Sequence, residues 1–507
     1  MIDLTVAQVA EIVGGTLADI TAEQAAQRRI TGTVEFDSRA VGPGGLFLAL
    51  PGARVDGHEF AAAAVEAGAV AVLTARPVGV PAIVVPPAVE DSGADAHAAV
   101  LEHDNEGAGA AVLAALARLA ASVADELVAG GLRIIGITGS SGKTSTKDLI
   151  AAVLAPLGEV VAPPGSFNNE LGHPWTVLRA TRDTDFLVLE MSARHRGNIA
   201  ALARIAPPSI AVVLNVGTAH LGEFGSREMI AMTKAELVQA LPATGVAVLN
   251  ADDPVVAAMA GQTAARVVTA GRSESADVRA VDIELDELAR PHFTLVTPAG
   301  RAAVTLAVHG EHQVGNALCA AAVALECGAT PDSVAASLAG AGPASRHRME
   351  VHTRPDGVTV INDAYNANPD SMRAGLQALA VMARRGGRRS WAVLGEMGEL
   401  GEDSITEHDR VGRLAVRLDI SRLVVVGTGR PMSAMHHGAV MEGSWGPEST
   451  MVDGADAALE LLRHELEPGD VVLVKASNAA GLGALADALA GDSAGDSTGD
   501  SAGDCAG

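Results

Sequence analysis

An apolar strand that runs into a Gly/Ser loop, and then into Lys-Thr at the head of a helix, constrains this chain more than anything else in it. The run is Ile134-Ile135-Gly136-Ile137-Thr138-Gly139-Ser140-Ser141-Gly142-Lys143-Thr144-Ser145-Thr146-Lys147. Small loop residues let backbone N–H groups approach phosphate oxygens, and the helix N-terminus adds partial positive charge. Lys143 then reaches the terminal phosphates and the Thr144 hydroxyl can ligate Mg2+. The commonest phosphate loop has a small residue five positions before its second glycine, whereas Ile137 stands there in this chain, leaving Thr-Gly-x-x-Gly-Lys-Thr. No Asn-Lys pair occurs anywhere in the chain, so the guanine-reading Asn-Lys-x-Asp is absent and a GTPase switch is not expected.

Two further residues point to the same edge. Glu190 ends the apolar run Phe186-Leu187-Val188-Leu189, and His220 follows the strand predicted over 210–216. Both sit past the carboxyl ends of parallel strands, where open α/β sheets hold their ligands. A carboxylate and an imidazole there can hold a divalent ion between nucleotide and substrate oxygens. Lys234 stands in the middle of an apolar stripe of Ile230, Leu237, Val238 and Leu241. It either snorkels from the stripe's edge or lies in a dry pocket that favours its neutral form. A neutral lysine could take up carbon dioxide as a carbamate, in effect an added carboxylate for a metal.

The rest of the chain reads as α/β in three units. At 507 residues it exceeds a single core, and length alone suggests about three domains. The first hundred residues carry short strands at 33–36, 46–50, 69–73 and 82–85, with a helix over 60–67. Residues 86–107, rich in Pro, Ala, Asp and Glu, read as a linker or exposed insertion. Next come helix 110–127, strand 132–137, helix 143–154, and strands 186–190 and 210–216. Their lack of internal alternation implies a parallel sheet covered on both faces. An antiparallel ribbon is expected over 280–308 and an amphipathic helix over 312–326. A third unit repeats the βα rhythm with strands at 358–361, 391–394, 423–426 and 471–474, a Rossmann-like, doubly wound pattern. The Gly-Asp-Ser repeats of 491–507 read as a disordered acidic tail.

Charge limits the partners. Setting the four tail aspartates aside from the net charge of −25 leaves −21 on the body, which argues against a nucleic-acid or anionic-membrane surface. Arg118 breaks the longest apolar run short of a membrane span. The start, Met-Ile-Asp-Leu-Thr, has no basic region ahead of an apolar core, and Cys319, Cys327 and Cys505 make an odd set with no framework. A cytoplasmic, reducing setting is the expectation.

In order along the chain, these motifs make it resemble the Mur ligase family over residues 1–490. They are Asp37-Ser38-Arg39, Gly45-Leu46-Phe47-Leu48-Ala49-Leu50, Asp56-Gly57-His58, the phosphate loop and Asn168-Asn169-Glu170-Leu171-Gly172-His173-Pro174. Glu190-Met191-Ser192-Ala193, Ala219-His220-Leu221, Lys234-Ala235-Glu236-Leu237 and Asn250-Ala251-Asp252-Asp253 follow. Gly310-Glu311-His312-Gln313-Val314-Gly315-Asn316 and Asp363-Ala364-Tyr365-Asn366-Ala367-Asn368-Pro369 complete the set. The last motif resembles the family's D-alanyl-D-alanine-adding branch. The Asp-Asn-Pro-Arg typical of the branch that adds a dibasic third residue is absent.

The resemblance implies a small N-terminal α/β uridine-binding domain (1–107), a central P-loop parallel-sheet ATPase domain (108–343) and a C-terminal Rossmann-like domain (344–490). It implies a monomeric ligase that joins D-alanyl-D-alanine to UDP-N-acetylmuramoyl-tripeptide (UDP-MurNAc-tripeptide) through an acyl phosphate, giving the pentapeptide precursor of peptidoglycan. ATP phosphates would lie on Gly139, Ser140, Ser141, Gly142, Lys143, Thr144 and Ser145. Two Mg2+ ions are implied, one on Thr144 and a second on Glu190, His220 and a carbamylated Lys234. Asn250, Asp253 and Asn316 would lie near adenosine, though Asn250 and Asp253 also suit a strand exit and helix cap, and Asn316 a helix surface. Arg348 and Asp363 would meet the γ-phosphate and ribose from the third domain, with Arg346 the alternative arginine. Ser38, Arg39, Asn168 and Asn169 would address the UDP-muramoyl peptide. Asn366, Asn368 and the loop 395–401 would take the incoming dipeptide. Where the family usually shows Val-Lys-Gly-Ser-Arg, this chain has Val474-Lys475-Ala476-Ser477-Asn478, so no arginine is available there.

Other readings share the loop. A sibling ligase or a folate polyglutamylating enzyme differs in acceptor, and a P-loop kinase would leave a stable phosphorylated product. A regulatory protein with a degenerate site would bind ATP without forming an amide.

Overall fold

The computed structural model describes residues 1–52, 55–86, 104, 107–217 and 224–491. Most of the expected insertion at 86–107, and the tail beyond 491, lie outside the described residues, as does His220.

Three sheets carry the fold, and each of the three expected α/β units holds one of them. The first is a five-stranded sheet in the order Thr16–Ala18, Ala82–Val84, Ala69–Thr74, Gly45–Leu48, Val34–Glu35, parallel except for its antiparallel first edge. A short antiparallel pair, Leu4–Thr5 with Arg29–Ile30, and the helix Val6–Val13 precede most of it in the chain and went unread in the sequence.

The central sheet has nine strands. Arg133–Thr138 runs between Phe186–Glu190 and Ile210–Val213, both parallel to it, and every residue of those two flanking strands is buried. This is why the segments read as unbroken apolar runs. The ribbon Val278–Leu285, Pro291–Thr297 and Gly300–Thr305 is antiparallel, as expected, but continues the same sheet through a parallel pairing of Arg266–Gly271 with Val278–Leu285. One expectation needs correction: the helix Gln313–Glu326 is not amphipathic. Nearly all of it from Gln313 to Ala324 is buried, against the phosphate-loop helix and the sheet. A helix apolar all round is one that is covered all round.

The third sheet has six strands in the order Glu350–Thr353, Thr359–Asn362, Val471–Lys475, Ser390–Leu394, Arg422–Val426, Ser449–Val452, all parallel except the antiparallel first. The two edges are half-exposed and carry no continuous apolar run, so the sequence reading passed over both.

Helix Ala108–Ala129 joins the first two units. It packs on Val6–Val13 from one and on Gly172–Val177 and Asn198–Ile205 from the other, in one continuous core. Arg118, the residue that interrupts the apolar run, donates to the Val13 carbonyl at 2.8 Å. That carbonyl is among those a helix end leaves without an internal partner. Among the described residues no helix is long and apolar enough to cross a membrane.

Candidate active site

The strand Arg133–Thr138 delivers the loop, and the helix begins at Lys143 as expected. Gly142 takes φ +83°, and a Cβ there would meet Asn316 Oδ1 at 2.7 Å, so glycine is required on both counts. Asn316 is therefore no surface residue. It is buried against the loop, and its Nδ2 donates to Gln313 at 2.8 Å. Asn215 sits inside the loop's turn: its Oδ1 accepts from the amides of Ser140 and Ser141 at 2.9 Å each, and its Nδ2 donates to the Ser141 carbonyl at 3.1 Å. Sequence reading gave Asn215 no role. Its only signal was a polar residue just past a buried strand.

Four charged groups converge beside the loop. Lys143 Nζ donates to the Gly139 carbonyl at 2.8 Å. Burial lowers its pKa, with the carboxylates of Glu190 and Glu399 opposing and Arg348 reinforcing the shift. Thr144 is buried at the head of the helix; its hydroxyl stands 3.3 Å from Glu190 Oε2 and accepts from Arg348 at 3.3 Å. Glu190 Oε2 also accepts from Ser166 Oγ at 3.1 Å, while its other oxygen, Oε1, is buried with no hydrogen-bond partner. Lys234 is 7% exposed, so it does not snorkel. Burial first, and then the Lys143 charge, hold its pKa well below the ordinary lysine value. Ser145 follows in the first helical turn, half-buried.

Of the two candidate arginines, both from the third unit, Arg348 is the one that lies at the loop. Its guanidinium lies 4.3 Å from the centre of the Tyr365 ring and reaches Thr144, whereas Arg346 turns to Asp487 at 3.4 Å. Asp363 accepts from the Met349 amide at 3.1 Å and pairs with buried Lys475 at 2.6 Å. Lys475 also donates to the Asn366 carbonyl at 2.9 Å. Asn368 caps its helix through the Ser371 amide at 2.9 Å and donates to the Ser140 carbonyl at 3.4 Å, which places it on the phosphate loop. Asn250 and Asp253 lie close by with local duties. Asn250 donates to the Leu214 carbonyl at 2.7 Å, and Asp253 accepts from Val255 and Val216 at 2.9 and 2.8 Å.

Ser38 and Arg39 lie on one unit and Asn168 and Asn169 on the next, with no direct bond between the pairs among those described. Their neighbours do meet: Phe36 and Phe167 both pack on the Trp175 ring, with centroids at 6.0 and 4.4 Å. In a chain with 2% aromatic residues this cluster stands out. Arg39 is held to Asp37, Asn168 donates to Ser166 at 2.7 Å, and Asn169 accepts from the Gly172 amide at 2.8 Å. Asn168 thus belongs to a chain of bonds running through Ser166 to Glu190. In loop 395–401, Glu399 has φ +61° and pairs with Arg194 of the central unit at 2.9 Å.

A phosphate-binding loop on a parallel sheet, met by an arginine from a separate Rossmann-like unit, is the arrangement of an ATP-dependent ligase. Models of the Mur ligase family match in three pieces: its catalytic domain at residues 31–121, middle domain at 137–324 and glutamate ligase domain at 347–478. The chain is 74% identical to the UDP-N-acetylmuramoyl-tripeptide–D-alanyl-D-alanine ligase of Mycobacterium tuberculosis, over 96% of this chain and 98% of that one. Solved structures share the fold, among them these two. One is MurF from Acinetobacter baumannii, with TM-score 0.79 and 30% identity over 96% of this chain and 99% of that one. The other is MurF from Thermotoga maritima in complex with ADP, with TM-score 0.73 and 27% identity over 91% and 98%. The chain belongs to the Mur ligase family. Within that family its likeness runs to the ligases that carry D-alanyl-D-alanine in their name.

Proposed function

We propose that this chain joins D-alanyl-D-alanine to UDP-MurNAc-tripeptide at the expense of ATP, giving UDP-MurNAc-pentapeptide, ADP and phosphate. The observation that carries the reading is the reach of Arg348 from the third unit to the Thr144 hydroxyl at 3.3 Å, beside Lys143 and Glu190. The identity to a ligase of this name along nearly the whole chain supports the choice of substrates. In the reaction, an oxygen of the tripeptide's terminal carboxylate attacks the γ-phosphorus and ADP leaves. The amine of the dipeptide then attacks the acyl carbon, loses a proton, and expels phosphate.

Carboxylate and γ-phosphate are both anionic, so the chain must offset their repulsion. Lys143 comes from the loop itself and Arg348 from the third unit, and positive charge aimed at developing negative charge is worth most where water is excluded. Asn368 and the Arg194–Glu399 pair bridge the third unit to the central one, and the reading takes closer approach of these units as the means of keeping water from the acyl phosphate. The residues present fit Mg2+: Thr144 and Glu190 offer hard oxygen donors, and Glu190 Oε1 is buried and unpartnered. Two Mg2+ ions would be held by Thr144 and by Glu190 with His220 and a carbamylated Lys234, and would supply neutralisation of phosphate charge. The lowered pKa of Lys234 supports the carbamate, because only the neutral amine adds carbon dioxide.

The reading takes 1–107 as the uridine-nucleotide unit, 108–343 as the ATP unit and 344–490 as the closing unit. Ser38, Arg39, Asn168 and Asn169 serve the muramoyl peptide. Asn250, Asp253, Asn316 and Asp363 frame the nucleoside, and Asn366, Asn368 and loop 395–401 the dipeptide. The reading takes the chain as a cytoplasmic monomer. Phosphate release with ATP, Mg2+ and UDP-MurNAc-tripeptide, with and without D-alanyl-D-alanine, tests it. Release that needs both substrates, with the pentapeptide mass, supports the reading; amide formation only with a different acceptor overturns it.

A further inference from the structure

The residue that brings Arg348 to the phosphate loop lies on the phosphate-loop helix itself. Asp148 stands one turn beyond Thr144 on helix Lys143–Leu154, on the same face. Its Oδ2 accepts from the Ser345 amide at 3.1 Å, three residues before Arg348 on the strand of chain that enters the third unit. Its Oδ1 is paired with buried Lys147 at 3.0 Å. Lys147 also donates to the carbonyls of Pro163 and Gly165, the latter at 3.1 Å. The Gly165 amide closes the circuit by donating to Ser345 Oγ at 3.0 Å. Ser345 is 2% exposed, so neither of its bonds is readily replaced by water.

The segment beyond Ser345 is strained on both sides of Arg348. His347 has φ +56° and Met349 φ +52°, left-handed conformations that cost a non-glycine residue free energy. Such strain persists only where surrounding bonds over-determine the backbone. Here they do: the His347 amide donates to Glu350 and the Met349 amide to Asp363, each at 3.1 Å, and Ser345 is fixed from the central unit. The carboxylate that anchors the segment and the hydroxyl that Arg348 touches are thus carried by one rigid helix.

We infer that Asp148 and Ser345 are positioning residues of the ligation reaction, which set the strained 345–349 segment so that Arg348 meets the transferred phosphoryl group. The inference rests on the function proposed above. The bonds that Asp148 and Ser345 make here are to each other, Lys147 and Gly165, and neither is assigned a contact with substrate. Their effect runs through Arg348, so it belongs to the phosphoryl-transfer step and not to binding of either peptide.

A double-mutant cycle on the full chain tests this. Asp148→Ala and Ser345→Ala are each expected to lower kcat by about tenfold, in line with the sensitivity of positioned groups to small displacements, with the KM of both peptide substrates within about twofold of wild type. Ser345→Thr, which keeps the hydroxyl acceptor, restores most of the rate. The deciding variants pair each change with Arg348→Ala. If the residues act through Arg348, the double variant turns over within about twofold of Arg348→Ala alone. A further tenfold loss in the Arg348→Ala background overturns the assignment, as does an unchanged kcat in both single variants. If Asp148→Ala does not fold, the Ser345→Ala cycle decides alone. A wild-type protein that forms no amide overturns the functional reading itself, and this assignment with it.

Discussion

Arg348 and Thr144 meet across the boundary of two folded units, guanidinium to hydroxyl at 3.3 Å, with no other residue of the third unit donating to that hydroxyl among the described bonds. This contact makes the site a joint property of both units. Replacing Arg348 by Ala is expected to lower kcat by roughly a hundredfold or more, as loss of a donor aimed at developing charge does. Lysine should not restore it, since a compact ammonium cannot both lie flat on Tyr365 and reach Thr144. Arg346 is the internal control. Its pairing with Asp487 is largely exposed, so Arg346→Ala should leave kcat unchanged and stability within about 0.5 kcal/mol. Steady-state phosphate release on the three variants is the measurement, and equal losses for both arginines would sink the distinction.

Lys143 provides the sharper test of chemistry. Its amine bridges to Gly139 across the loop and lies among Glu190, Arg348 and Glu399. Lys143→Ala should abolish ADP formation while leaving the melting temperature close to that of wild type, because the loop's shape is held by Asn215 and Gly142 rather than by the lysine. Full turnover in that variant would remove the phosphate loop from the mechanism.

What was legible in the sequence was whatever a short stretch determines by itself. The helix beginning at Lys143 and the strand Phe186–Glu190 have the expected bounds, because uninterrupted apolar runs and a Gly-Lys-Thr step are local signals. The half-exposed edge strand Glu350–Thr353 was illegible, being defined by its partner Thr359–Asn362 and not by its own pattern. Helix Gly172–Val177 was missed because Gly, Pro and β-branched residues argue against a helix that tertiary burial nonetheless enforces. In the candidate site, the sequence named Lys143, Thr144, Glu190, Lys234 and Arg348, which the structure brings together, but not the residues bonded behind them. Asn215 bonds to Ser141 over 74 positions, and Asp148 to Ser345 over 197, separations that no spacing rule reports.

Lys475 is the lysine of the stretch Val474-Lys475-Ala476-Ser477-Asn478, whose last position carries no arginine, and it has a structural part of its own. It is 1% exposed, and its pKa is lowered by burial, with Asp363 opposing that shift. Removing one member of a buried pair strands the other, at a cost of about 3–5 kcal/mol. Lys475→Ala should therefore destabilise the third unit by about that much, measured by urea unfolding. Lys475→Met with Asp363→Asn should recover part of it. A loss below about 1 kcal/mol in the single variant would mean that Asp363 relaxes to water.

The acid limb of stability should carry the signature of His173. The ring is fully buried, and neither nitrogen makes a hydrogen bond of normal geometry, although the Glu190 and Leu202 carbonyls lie near enough to favour the charged ring in part. Burial dominates and brings the pKa down to about 4. In the unfolded chain it returns to about 6.5. Between those values the unfolded state binds a proton that the folded state refuses, so stability falls as pH drops from about 6.5 towards 4 and is untouched by this residue above that window. Integrated from pH 6.5 to 5.0, one such histidine removes about 1.5 kcal/mol. Urea unfolding of wild type and His173→Gln at those two pH values isolates the effect, because the other buried histidines and the carboxylates titrate alike in both proteins. Wild type should lose about 1.5 kcal/mol more than the variant over that interval. Equal losses would mean that the folded protein accepts the proton at His173, through the two carbonyls that face it.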